Sequence, residues 1–112
     1  MELTLKKVYK IPPIEEVFSS KGRIKILKLL VFNESMNISE IVKQTRMNNY
    51  LVTQHLNYFK ELGIIDEKLH GRRIKIYRLV ANKHLVHVIQ KIILDWKMTQ
   101  EMLDDKVINI TE

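Results

Sequence analysis

Asn49-Tyr50-Leu51-Val52-Thr53-Gln54-His55-Leu56-Asn57-Tyr58-Phe59-Lys60-Glu61-Leu62 decides the fold. Leu51, Val52, Leu56 and Phe59 recur at helical spacing, which predicts one apolar inner face, flanked by His55 and Leu62. The outer face is then Asn49, Tyr50, Thr53, Gln54, Asn57 and Lys60. Its groups are amides, a hydroxyl, a phenol and an ammonium, and no carboxylate comes before Glu61. Asn48 or Asn49 is placed to cap the start of this helix. Gly63 fits the left-handed position that ends one.

Upstream, Ile38, Ile41 and Val42 mark a short helix over about 38–45, with Ser39 or the pair Asn37 and Glu40 as its cap. Thr45-Arg46-Met47-Asn48 reads as the turn between the two helices. A short helix, a tight turn and a second helix packed by one face make a helix-turn-helix. Before it, Ile24, Leu27, Leu30 and Val31 stripe a helix that begins at Ser19-Ser20 or Lys21 and runs to about Phe32. Pro13 suits the first turn of a shorter helix at about 13–19, with Glu15 and Glu16 near its positive end.

Downstream, Ile64–His70 and Ile74–Leu79 are β-prone runs joined by Gly71-Arg72-Arg73, which reads as a hairpin. In the second run Ile74, Ile76 and Arg78 point one way, and Lys75, Tyr77 and Leu79 the other. A last helix over about 83–105 carries Leu85, Ile89, Ile92, Trp96 and Leu103 in a heptad-like seam, with Thr99 in the missing position. Val86, Val88 and Ile93 form a second stripe, and Val107–Ile110 reads as a short tail.

The element order excludes a doubly wound parallel sheet. It predicts an α+β fold, mostly helical: a winged helix-turn-helix with a long C-terminal dimerisation helix. The expected organisation is an N-terminal arm or strand at 1–12, a DNA-binding domain at 13–80, and the dimerisation helix with its tail at 81–112.

The net charge of +6 is uneven. Residues 21–80 hold twelve Lys and Arg against five acids, while residues 1–20 are neutral and 81–112 are slightly acidic. An anionic partner would therefore meet the middle segment. Asn and Gln amides pair with adenine in two hydrogen bonds, and a Thr methyl or hydroxyl meets a base or a phosphate. The N-terminal half of such a helix reaches the bases, so Asn49, Tyr50, Thr53 and Gln54 are the expected base contacts. Asn48, Asn57, Lys60, Lys68, Arg72, Arg73 and Lys75 are the expected backbone contacts. Arginine at a hairpin tip reaches phosphates or a narrow minor groove, although cations on a strand also discourage edge pairing.

These segments together resemble the ArsR-type winged-helix regulators: Ile38–Val42, Leu51–Leu56, Phe59–Ile65, Gly71-Arg72-Arg73 and Tyr77-Arg78-Leu79. The resemblance covers roughly residues 20–80. It implies a homodimer, a reading helix in the major groove, wings on the flanking backbone and, in many members, repression relieved by an effector. The effector stays open here. Metal-sensing members carry a Cys-x-Cys site before the reading helix, and this chain has no cysteine. His84 and His87, three apart, share a helix face, but no carboxylate stands at a matching place, so neither metal nor cofactor is expected.

The inventory lacks a phosphate loop, a nucleophile turn, a zinc-protease pattern and a cysteine nucleophile, so no enzymatic activity is expected. The start of the chain lacks the order of a signal peptide, and charge interrupts every apolar stretch, so a cytoplasmic protein without membrane contact is expected. Two competing readings use the same fold: an architectural DNA binder with little sequence preference, and a winged helix serving protein interaction. An amide-rich outer face favours base reading over both. His55 offers either a phosphate contact or packing at the core edge, of which packing is expected, and Trp96 on the seam is expected in the dimer core rather than as a ligand platform.

Overall fold

The computed structural model describes residues 11–111, with side chains to Asp105. The N-terminal arm or strand expected at 1–12 lies, except for Ile11 and Pro12, outside the described residues. The chain divides after Val80 into two compact units.

In the first unit, one helical turn, α1 (Ile14–Val17), follows Pro13, and α2 (Lys21–Phe32) begins at Ser20. The Ser20 hydroxyl accepts from the Arg23 N–H at 3.1 Å, satisfying one of the donors that every helix start leaves without an internal partner. β1 (Met36–Asn37) leads directly into α3 (Ile38–Thr45). Asn37 and Glu40, not Ser39, cap α3: Asn37 Oδ1 accepts from the Glu40 N–H at 2.8 Å, and Glu40 Oε1 accepts from the Asn37 N–H at 2.9 Å.

The turn into α4 (Asn49–Glu61) is built from α3's last residue. The buried Thr45 hydroxyl donates to the Ile41 carbonyl at 2.7 Å and accepts from the Met47 N–H at 3.3 Å. Arg46 takes a left-handed conformation with φ 61°, and its N–H donates to the Val42 carbonyl at 2.8 Å. Asn48 then caps α4 through Oδ1, which accepts from the Leu51 N–H at 2.8 Å. Gly63, at φ 76°, ends the helix in the left-handed region open to glycine.

β2 (Ile65–His70) and β3 (Ile74–Leu79) form the hairpin, with His70 opposite Ile74 and Gly71-Arg72-Arg73 as its loop. β1 adds a third antiparallel strand on the other side of β3, so the sheet order is β1-β3-β2, with Met36 opposite Tyr77. This strand departs from the two-stranded hairpin expected. Two residues carry no alternation to read, and Asn37 is already committed as a helix cap.

The core joins Ile26, Leu27 and Leu30 of α2, Ile41 of α3, and Val52, Leu56 and Phe59 of α4 to Met36, Ile64, Ile65 and Tyr77. Each such side chain contributes roughly 1.5–3 kcal/mol when fully buried. The alternation in β3 resolves with the Tyr77 side inward, 4% exposed, and the Ile74 side outward, 48% exposed. Leu51 corrects the expected inner face, since it is 40% exposed. One residue along a helix is a rotation of about 100°, which carries Leu51 off the stripe of Val52, Leu56 and Phe59.

The second unit holds α5 (His84–Thr111). The helix continues through residues 106–111, where a separate tail was expected. Apolar residues at 107, 108 and 110 alternate with too little contrast to mark an end, and no glycine or proline stops the chain.

Candidate nucleic-acid interface

α4 presents its residues in two rows. With about 100° per residue, Tyr50, Gln54 and Asn57 form the crest opposite the buried stripe, and all three are exposed. Asn49, Thr53 and Lys60 form a row on one flank. Side chains one turn apart are tied together. Gln54 Nε2 donates to the Tyr50 hydroxyl at 2.7 Å, and the Thr53 hydroxyl donates to Asn49 Oδ1 at 3.2 Å. All four expected base-contacting residues therefore stand in two parallel rungs over the first two turns. A primary amide has two N–H donors. Gln54 is thus able to keep its bond to Tyr50 while offering its second N–H and its carbonyl oxygen to an adenine edge.

The expected backbone contacts do not share one situation. Asn48 is exposed, but its carbonyl oxygen caps the helix, which leaves the amide nitrogen as the group able to meet a phosphate. Lys68, Arg72 and Arg73 are exposed on the wing. Gly71 takes φ 72°, with open space around its Cα, so glycine is required there for backbone conformation and not for room. Lys60 and Lys75 are engaged within the protein: Lys60 Nζ donates to Glu67 Oε1 at 2.8 Å, and Lys75 Nζ lies 3.9 Å from Glu67 Oε2. Lys43 and Arg46, exposed on α3 and in the turn, are two further cations that the sequence reading left out.

Behind α4, a polar cluster fixes the helix against α2 and α1. The Arg23 guanidinium lies 3.7 Å over the Tyr58 ring and donates to the Glu16 carbonyl, while the Tyr58 hydroxyl donates to Glu16 Oε2 at 2.7 Å. Arg23 Nε is buried and, among the described residues, has no hydrogen-bond partner; the ring face beneath the guanidinium offsets part of that cost. Gly22 permits the close approach. A Cβ there would stand 2.8 Å from Met47 Sδ and 2.9 Å from His55 Nε2. Sequence periodicity flagged neither Gly22 nor Glu16, because both act across elements.

His55 sits at this junction, half-buried, as its packing role requires. Burial, and then the Arg23 guanidinium, hold its imidazole below its ordinary value. The folded state thus favours the neutral ring. Its contribution to stability is fully present above the unfolded value, about 6.5, and is lost as pH falls through the lowered folded value. The urea midpoint of the wild-type protein is expected to drop between pH 7.5 and 5, and His55→Gln to flatten that slope. Equal slopes in the two proteins would remove His55 as the cause.

Within the second unit, Val86, Ile89 and Ile93 are buried. Of the expected dimer seam, Ile89 is 2% exposed and Leu85 is half-buried, whereas Ile92, Trp96 and Leu103 are 40%, 68% and 55% exposed. Val88, Ile92, Trp96 and Thr99 line a shallow apolar surface, bordered by the Lys91–Asp95 ion pair at 2.9 Å. The His87 Nε2 atom bonds to the Ala81 carbonyl at 2.8 Å. No helix is long and apolar enough to cross a membrane among the described residues.

Comparison with known proteins gives a consistent result. The profile described as "Bacterial regulatory protein, arsR family" matches residues 20–67. A protein of Methanocaldococcus jannaschii, "Uncharacterized HTH-type transcriptional regulator MJ1325", is 31% identical over 67 residues, covering 60% of this chain and 75% of that protein. The "HTH-type transcriptional repressor SmtB" of Mycobacterium tuberculosis is 30% identical over 87 residues, 70% of this chain and 63% of SmtB, so the match spans under two-thirds of that repressor. Among solved structures, the transcriptional repressor BigR from Xylella fastidiosa superposes with a TM-score of 0.62 at 18% identity, covering 75% of this chain and 79% of its own.

Proposed function

The chain belongs to the ArsR family of winged helix-turn-helix transcriptional regulators, and from that premise we propose that it acts as a homodimer on a double-stranded operator. α4 enters the major groove with Asn49, Tyr50, Thr53 and Gln54 on the bases. The wing lays Arg72 and Arg73 on the flanking backbone or in the minor groove. The carrying observation is the make-up of α4's outer surface: two hydrogen-bonded polar rungs with no carboxylate before Glu61. A carboxylate there would repel phosphate, and a row of lysines would bind any sequence alike.

The dimer follows from α5. Ile92, Trp96 and Leu103 lie on one face at spacings of four and seven, exposed in the single chain. A two-fold partner covers them and sets two reading helices one helical turn of DNA apart. The M. tuberculosis relative is named a repressor, as is BigR, which favours repression as the outcome of operator binding.

Gln54→Ala is the direct test of base reading. Losing a two-bond contact to a base costs about 1–3 kcal/mol of discrimination. The variant is expected to lose roughly 5- to 100-fold in preference for the selected operator over random duplex, with random-duplex affinity nearly unchanged. Undiminished preference, measured by competition, would rule out Gln54 as a reader.

A further inference from the structure

Glu67 is an acid in the middle of a cationic surface. It lies on β2, between the end of α4 and the shaft of the wing. Three donors converge on it: Lys60 Nζ from α4 at 2.8 Å on Oε1, Lys75 Nζ from β3 at 3.9 Å from Oε2, and the Tyr77 hydroxyl from β3. The Lys60 hydrogen bond, against the opposing effect of burial, holds the carboxyl below its ordinary range, and Tyr77 and Lys75 add to it. It is therefore a carboxylate at neutral pH. Burial, and then the hydrogen bond to Glu67, push the Tyr77 phenol up to about 12.

The Lys60, Glu67 and Lys75 side chains keep 36%, 21% and 54% of their surface in solvent. The cluster is thus open to an arriving phosphate and is not sealed in the core. Its geometry is what a bound phosphate would create: one anion between an ammonium on the reading helix and an ammonium on the wing. Exposed pairs of this kind are weak, so exchange of one anion for the other is close to balanced. The carboxylate also repels the phosphate that replaces it.

We propose that Glu67 sets the sequence-independent part of DNA affinity, as a resident substitute for a DNA phosphate. In the free protein it holds Lys60 and Lys75 in position. On binding, it must surrender at least one of them to the backbone and remain beside a phosphate. Affinity for every duplex is lowered by the same factor, so the ratio of operator to random affinity is unchanged while retention on random DNA is reduced. This rests on the DNA-binding function proposed above.

Glu67→Gln keeps the size and the hydrogen-bonding atoms and removes the charge. The test measures its affinity for a random-sequence duplex at several salt concentrations, with the same substitution repeated in a Lys60→Gln background. The expected result is about 3- to 30-fold tighter random-duplex binding, a salt dependence steeper by roughly one counterion per protomer, and loss of most of that gain when Lys60 is neutral. Equal or weaker binding by Glu67→Gln, or a full gain retained in the Lys60→Gln background, would overturn the proposal while leaving DNA binding intact. A wild-type protein that binds no duplex would instead overturn the function on which it rests. A second measurement needs no variant: the Lys60 Nζ resonance of the wild-type protein is expected to shift on saturation with random duplex, and an unmoved resonance overturns the proposal.

Discussion

Arg72→Ala with Arg73→Ala will weaken binding to every duplex, operator and random sequence alike. Both guanidinium groups sit at the exposed tip of the hairpin, beyond the paired residues His70 and Ile74. No ion pair of theirs stands among the contacts of the described residues, so in the free protein they are not held as Lys60 and Lys75 are. A cation that meets a phosphate releases about 0.9 counterion, so each contact adds about that much to the slope of log affinity against log salt. Two arginines per protomer amount to a slope reduced by about two to four in a dimer, and on the order of 10- to 100-fold in affinity near 0.1 M salt. Fluorescence anisotropy across a salt series reads both. In the proposed complex the tip meets backbone rather than base edges, so the ratio of operator to random affinity should stay nearly constant. An unchanged slope would show that the wing does not reach phosphate.

Trp96→Glu should convert the proposed dimer to a folded monomer. Trp96 is 68% exposed in the single chain, so the substitution leaves the fold of the protomer alone. In the proposed two-fold dimer it would place a carboxylate from each copy in the apolar seam formed by Ile92, Trp96 and Leu103. An uncompensated buried charge costs about 3–5 kcal/mol, which corresponds to at least a hundredfold rise in the dimer dissociation constant. Sedimentation at micromolar concentration should report a monomer with an unchanged helical circular dichroism spectrum. DNA affinity should fall as well, since each half-site then binds without the advantage of linkage to the other. A persistent dimer would place the interface elsewhere than the Ile92, Trp96 and Leu103 face.

Local chemistry made much of the helix-turn-helix legible in the sequence. Asn37 with Glu40, Asn48 and Gly63 each act within three or four residues of their partners, and the spacing of Val52, Leu56 and Phe59 is itself the buried stripe. What escaped was set between elements. β1 is too short for periodicity and is defined by its partner Tyr77. Leu51 is as apolar as its neighbours and is exposed only because of its angle on the helix. Lys60 and Lys75 read as free cations until the chain folds Glu67 between them. Gly22 looks like a flaw inside a helix, although a Cβ there would force the side chains of Met47 and His55 to shift. The glutamine and tyrosine of the outer face were visible one by one, but the bond between them was not, because i and i+4 polar residues on a helix need not meet.

Selection from a random duplex library, carried out with the full chain at low and at near-physiological salt, tests sequence-specific binding most directly. The predicted result is one enriched pseudo-palindrome with half-sites about one helical turn apart, persisting at the higher salt while random-sequence retention falls away. Retention that is equal for all sequences and collapses as salt rises would contradict base reading by α4 and leave only a nonspecific binder of DNA.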